Sequence, residues 1–284
     1  MSEEKEMSFL DHLEELRWHV VRSLIAIVVF MIAAWIAAPW IFDNIVFAIA
    51  KTDKITHELT FPTFRVICRI GNALGRDGWC LQAFPFKIQS RYMTGQFSMK
   101  FTASVVLGLI VAFPYVIWEL WRFVRPGLYN RERRVSRGAV AAISFLFFAG
   151  VLFGYYVMCP MTVYFFANFS ISDVIQNEFD ITSYVGTVVG MILGSGLIFQ
   201  LPVVIYFLTQ IGLITPQFMR TYRKHAIIVI LIIGAFVTPS PDFLSQTVIS
   251  LPLYLLYETS IFVSAYVVRQ KRKEEEAELG QQKI

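Results

Sequence analysis

The stretch W-E-L-W-R-F-V-R-P-G-L-Y-N-R-E-R-R-V-S-R, from Trp118 to Arg137, decides how this chain is organised. It holds six arginines, Arg122, Arg125, Arg131, Arg133, Arg134 and Arg137. Uncharged apolar runs flank it, Phe101 to Trp118 upstream and Gly138 to Ser172 downstream. Lys and Arg near the ends of membrane spans are retained on the cytoplasmic side. The island therefore reads as an inner loop, and it sets the side of every other loop. One carboxylate, Glu132, stands among these cations, where a cationic partner can reach it.

Composition agrees with a membrane reading. The chain has 284 residues, is 56% hydrophobic and has a mean hydropathy of +0.57. Charged residues make up 16%, against about 25% in soluble domains. Long continuous apolar runs exclude an outer-membrane barrel, whose strands would alternate. The net charge of +4 is small, so its distribution carries more information than its sign. The N-terminus lacks a basic segment and a small-residue cleavage site, so the first span is expected to remain as an anchor.

Upstream of the island, Phe9, Leu13, Leu16 and Val20 share one helical face, and Asp11, Glu15 and Trp18 the opposite one. Ser8 with Asp11 is a variant capping box. Residues 1–19 read as an amphipathic segment on the cytoplasmic surface. Ser23 to Phe42 follows without charge, long enough for a core of about 30 Å. Residues 43–96 form a long outer loop with seven basic residues. Phe61-Pro62 and Phe84-Pro85-Phe86 suggest surface-lying packed pieces in it. Cys68 and Cys80 fall in this loop, either as a disulfide in an oxidising compartment or as two unpaired thiols. The second span, about Phe97 to Leu120, is expected to kink at Pro114.

Downstream, Asn130 suits an N-cap for a third helix that runs to about Cys159-Pro160. Met161 to Ser183 reads as an outer loop with Asp173, Glu178 and Asp180 and no Lys or Arg. The fourth span, about Tyr184 to Gly212, carries Gly186, Gly190 and Gly194 in a small-xxx-small ladder that permits close helix contact. Pro202 is expected to kink it. Arg220, Arg223 and Lys224 mark an inner loop. Ala226 to Val237 and Phe243 to Val268 form a short hairpin about Thr238-Pro-Ser-Pro-Asp242, expected to thin the bilayer locally. Residues 269–284 read as a frayed cytoplasmic tail. Inner segments hold 17 of the 25 Lys and Arg. The expected fold is all-α: one polytopic membrane domain, six transmembrane helices, both termini cytoplasmic, the last two helices short. No inverted repeat is visible, which weighs against the common transporter folds.

No H-E-x-x-H, G-x-S-x-G or Gly-rich phosphate loop is present. His12, His19, His57 and His225 are scattered, with none expected deep in a span. The reading is not an enzyme, with no cofactor, no metal and no nucleic-acid partner. The polar residues in or beside spans are Glu119, Gln200, Gln246 and Glu258, and such groups usually face protein or water. Glu119 is expected to snorkel toward Arg122. Glu258 fits a buried structural pair or a functional role equally well. Gln200, two residues before Pro202, either satisfies carbonyls freed by the kink or lines a concave, partly wetted wall. Glu15 and Glu132 could each accept a bidentate arginine, Glu132 from the first turn of the third helix. The simpler alternative for these two is local pairing, Glu132 with Arg131 or Arg133 and Glu15 with His19.

Three segments carry a resemblance: F-L-D-H-L-E-E-L-R from Phe9 to Arg17, F-V-R-P-G-L-Y-N-R-E-R-R from Phe123 to Arg134, and T-P-S-P-D-F-L-S-Q from Thr238 to Gln246. With their order among the apolar runs, the chain resembles TatC, the polytopic core of the twin-arginine protein translocase. The resemblance implies a receptor in the bacterial inner membrane for folded precursors whose signal peptides carry paired arginines. It implies homo- and hetero-oligomers with single-span TatA- and TatB-type subunits in the lipid bilayer, and transport driven by the proton-motive force. The family's signal-recognition glutamates fall on Glu15 and Glu132. Arg17, Phe123 and Pro126 match its cytoplasmic recognition region, and Asp242 its acidic outer turn. Gln200 departs from the glutamate that many relatives carry there, which puts a carboxylate-dependent step at that position in doubt. The alternatives are a small-solute or ion permease, which needs a continuous polar path, and a membrane scaffold, which gives Glu15 and Glu132 no reason to bind arginines.

Overall fold

Helix α1 runs without a break from Phe9 to Ile36, so the amphipathic segment and the first span are one rod. At 1.5 Å per residue it is about 42 Å long, enough for a membrane core and one interface. It ends where Ala37 precedes Ala38-Pro39 and the chain restarts as α2, Ala38–Ile41. The computed structural model describes residues 9–51, 61–73, 87–124, 136–172, 175, 177–237 and 243–281. Side chains of residues 9–13 and of Glu15 are outside this description. Among the described residues, five helical stretches are long and apolar enough to cross a membrane: Leu16–Ile36, Gly95–Phe123, Val140–Asn168, Ile181–Gln210 and Ser250–Lys273.

The contacts divide the chain into two compact units. The first comprises Met1–Lys51, Lys87–Phe145 and Glu178–Val189. Its centre is the antiparallel pair of α1 and α4, Gly95–Val124. Three contacts along the pair define the register. At one end His19 meets Glu119. In the middle a Cβ on Gly108 would stand 2.7 Å from the Met31 backbone nitrogen, so only glycine allows the backbones this close. At the other end Trp35 meets Phe97 and Phe101 edge-on, with the Lys100 ammonium 4.4 Å from its ring. Helix α4 continues through Pro114.

This register decides which face of the leading segment meets α4. Val20 is exposed and His19 is buried, so the polar side chain faces the neighbouring helix. In lipid the apolar side chains need no protein cover, whereas a polar group at depth does. A two-stranded parallel ladder, absent from the all-α expectation, also belongs to this unit. Strands β1, Lys87–Gln89, and β2, Glu178–Asp180, pair with Lys87 opposite Glu178. Tyr184 anchors the π and 3-10 turns after α2, donating to the Val46 carbonyl at 2.9 Å and stacking on Phe47.

The second unit comprises Thr52–Phe86, Leu146–Asn177 and Gly190–Ile284. Helix α3, Pro62–Ala73, bears out the packed piece read from Phe61-Pro62. Phe61 and Phe64 are buried against Tyr155, Tyr156 and Tyr164, and the Thr63 hydroxyl donates to the Tyr156 carbonyl. The third span does not end at Pro160. Helix α5, Ser136–Phe153, passes through a π turn, Gly154–Met158, into α6, Cys159–Asn168. Pro160 falls in the first turn of α6, where a proline is tolerated.

The fourth span breaks where a kink was expected. Helix α7, Ile181–Ile198, is followed by the Phe199-Gln200 turn and α8, Leu201–Gln210, with Pro202 in its first turn. Gly212, at φ +82°, closes α8, and the Leu213 N–H donates back to the Leu208 carbonyl at 2.9 Å. Thr215 caps the short α9, Pro216–Thr221, by accepting from the Phe218 N–H. Helix α10, Arg223–Val237, is short as expected, about 22 Å. The last helix is not short. Helix α11 runs from Phe243 to Gln281, through Pro252 and through most of the segment read as a frayed tail. Glu274-Glu275-Glu276 and the cations before them can continue a helix in water, since nothing there breaks it.

Candidate functional site

The segment Phe9–Arg17 and the residue Phe123 come from opposite ends of the α1–α4 hairpin in sequence, and the antiparallel packing brings their neighbourhoods together. His19 lies two positions beyond Arg17, and Glu119 one turn before Phe123. The His19 Nδ1–H donates to Glu119 Oε2 at 2.5 Å, and the Tyr115 hydroxyl donates to Oε1 at 3.0 Å. Glu119 and His19 are 1% and 7% exposed. The Phe123 ring meets the His19 ring edge-on at 6.1 Å. These contacts clasp the end of α1 to the end of α4. Arg17 is exposed on the same helix end. Its guanidinium lies 3.8 Å from Glu14 and 5.6 Å from the Trp18 ring, and a pair this exposed holds it weakly.

The clasp corrects one expectation. Glu119 does not pair with Arg122, whose guanidinium lies instead 5.8 Å from the Trp118 ring. The His19 Nδ1 is engaged by Glu119, and its pairing with Glu15 lies outside the described residues. Both carboxylate oxygens of Glu119 are engaged, and they hold α1 against α4. His19 and Tyr115 were missed in the sequence. The available signal was a histidine just before one apolar run and a glutamate just after the next. Pro126, Glu132, Asp242 and Cys80 lie outside the described residues, as does the side chain of Glu15.

In the second unit the remaining candidates separate. Gln200 is half-buried in the turn between α7 and α8, and its carbonyl accepts from the Val203 and Val204 N–H groups at 2.9 and 3.0 Å. Glu258 is paired, but the pair is partly exposed rather than buried. Arg223 donates to Oε2 at 2.8 Å and the Tyr254 hydroxyl to Oε1 at 3.0 Å. Tyr257 adds a hydrogen bond to the Met219 carbonyl at 2.8 Å, so this cluster ties α9 and α10 to α11. Gln246 donates to the Leu231 carbonyl at 2.5 Å and joins the two arms of the last hairpin. Cys68 is disulfide-bonded, and Cys159 is a buried cysteine outside any disulfide.

Fold and site together define a multi-span helical membrane protein whose polar groups at depth hold helices together. Residues 11–252 match the family model for Sec-independent protein translocase protein (TatC). The chain belongs to the TatC family. It is 38% identical over 272 residues to the Sec-independent protein translocase protein TatC of Blattabacterium sp. subsp. Periplaneta americana (strain BPLAN), covering 95% of this chain and 99% of that one. It is 31% identical over 273 residues to TatCy of Bacillus subtilis (strain 168), covering 96% and 94%. Among solved structures it is similar to the twin arginine translocase receptor TatC in DDM, with a TM-score of 0.66 and 26% identity, covering 89% of this chain and 99% of that one.

Proposed function

We propose that this chain is the signal-peptide receptor and core subunit of a twin-arginine translocase, and that Glu15 and Glu132 accept the two arginines of the signal. The observation that carries the proposal is the clasp between α1 and α4. It draws the Phe9–Arg17 motif and Phe123, which opens the second motif, to one end of a rigid helix pair. Two carboxylates carried on such neighbouring segments suit a pair of adjacent guanidinium groups, each of which recognises a carboxylate bidentately. Arg17, Phe123 and Pro126 border the same surface in this reading.

The apolar part of the signal then follows a wall that includes Gln200, and Asp242 belongs to the outer turn of the last hairpin. The full reading has six crossings with both ends cytoplasmic, in the inner membrane of a bacterium. Single-span TatA- and TatB-type subunits are its partners in homo- and hetero-oligomers, and the proton-motive force drives transport. Cys68 pairs with Cys80 on the outer side.

The test is binding of a twin-arginine signal peptide to the purified full chain, compared with Glu15→Gln and Glu132→Gln. Losing one charge-assisted contact weakens binding by about 1.5–3 kcal/mol, roughly ten- to hundredfold in Kd. A peptide carrying two glutamines should bind all three forms equally weakly. A photo-cross-linker at Gln200 reports, in the same assay, whether the apolar run of the signal passes it. Unchanged affinity in both variants removes the two glutamates from the site.

A further inference from the structure

A groove of about 750 Å³ opens between α9 and the end of the last span on α11. One wall carries Gln217 and Arg220, and the other carries Arg269, Arg272 and Lys273, with Glu276 at its far end. Four cations thus converge from segments about fifty positions apart in sequence. The volume falls within the range of about 300–1,000 Å³ that small ligands occupy. Lys271, from the same basic run, points elsewhere and donates to the Gln210 carbonyl at the end of α8. The groove is therefore not merely a solvated stretch of charge; the fold sends one cation of the run to a helix end and gathers the others.

The position of the groove identifies its ligand. Leu255, Phe262, Tyr266, Arg269 and Lys273 lie within a narrow stripe of α11 at 100° per residue. Leu255, Phe262 and Tyr266 are 57%, 69% and 62% exposed. The stripe turns from exposed apolar to cationic where the span Ser250–Lys273 ends. Leu213 and Phe218, close to the α9 wall in sequence, are also exposed. A ligand with an anionic head and apolar chains matches both halves, whereas a free anion would use only the cations. Clusters of Lys and Arg at the end of a membrane helix attract anionic headgroups. We propose that this groove binds the phosphate headgroup of an anionic phospholipid, held by Arg220, Arg269, Arg272 and Lys273, with its acyl chains along the Phe262 and Leu255 stripe. The site does not depend on the signal-receptor reading.

The test is retention of phosphatidylglycerol, offered against phosphatidylcholine in mixed micelles, by the full-length protein in native mass spectrometry. Arg220→Gln/Arg269→Gln/Lys273→Gln should cut preferential retention by about fivefold for each cation removed. The Arg→Lys counterparts at positions 220 and 269 should keep most of it. Arg65→Gln, an exposed cation on α3, should change nothing. Glu276→Gln should raise retention, a change opposite in sign to anything a misfolded variant gives. Inorganic phosphate at millimolar concentration should not displace the lipid. Equal retention by the triple variant and the parent overturns the proposal. Full displacement by phosphate also overturns it, and shows a free-anion site instead.

Discussion

Glu119 is held by His19, 100 positions away, and by Tyr115, 4 away. Removing one partner of a buried hydrogen bond costs about 1–3 kcal/mol, because the other is left unsatisfied. Glu119→Ala and His19→Ala should therefore each lower thermal stability in detergent, and the double variant should lose much less than the sum. Additive losses would show that the pair is not coupled. Asp180 gives a second, pH-dependent prediction. The Thr182 hydroxyl, then the N–H groups of Arg91 and Thr182, hold its carboxyl below the usual carboxylate range. A depressed native value contributes stability that is fully present above the unfolded value of about 3.9 and is lost as the pH falls through the native one. Asp180→Asn should destabilise the first unit at pH 7, and the difference from the parent should vanish well below pH 4; a constant difference would contradict this. Neither contact is legible in sequence, where the nearest cation to Glu119 is Arg122. A group at the end of a helix can turn toward water or toward a neighbouring helix, and only the packing of α1 on α4 decides which.

At the scale of elements, the glycines make the point most clearly. The ladder in α7 reads as a packing face, yet a Cβ on Gly186 or Gly190 would meet nothing within 4 Å. The close approaches lie elsewhere. A Cβ on Gly150 of α5 would stand 2.7 Å from the Ser195 carbonyl and from Phe199 Cβ, and one on Gly196 2.9 Å from the Phe147 ring. Gly150→Ala should thus cost about 1–3 kcal/mol. Gly190→Ala should be neutral or stabilising by up to about 1 kcal/mol. Thermal unfolding of the two variants checks the contrast, and equal effects would refute it. Helices in lipid are apolar on every side, so small residues alone do not reveal which face meets a neighbour. The prolines were legible as punctuation but not as geometry. Pro114 stays inside α4, Pro160 and Pro202 open new helices, and Pro252 lies within α11.

For the whole molecule, the proposed topology predicts sidedness. Cysteines introduced at Gly138 and Glu276 should react with an impermeant reagent from the cytoplasmic side, and one at Ile171, 85% exposed, from the other. Labelling of all three from one side would overturn the six-crossing reading. Membrane class, the approximate positions of the apolar spans, the short α10 and membership of the TatC family were all written in the sequence. Hydropathy and charge act on each residue locally, against lipid or water, and the family's motifs are contiguous. Tertiary structure alone decided that His19 clasps Glu119 and that Arg223 takes Glu258. It alone gathers Arg220 with Arg269, Arg272 and Lys273 in one groove. Each of those outcomes depends on which faces of separate helices meet, and in a bilayer no contrast of hydropathy between faces announces it.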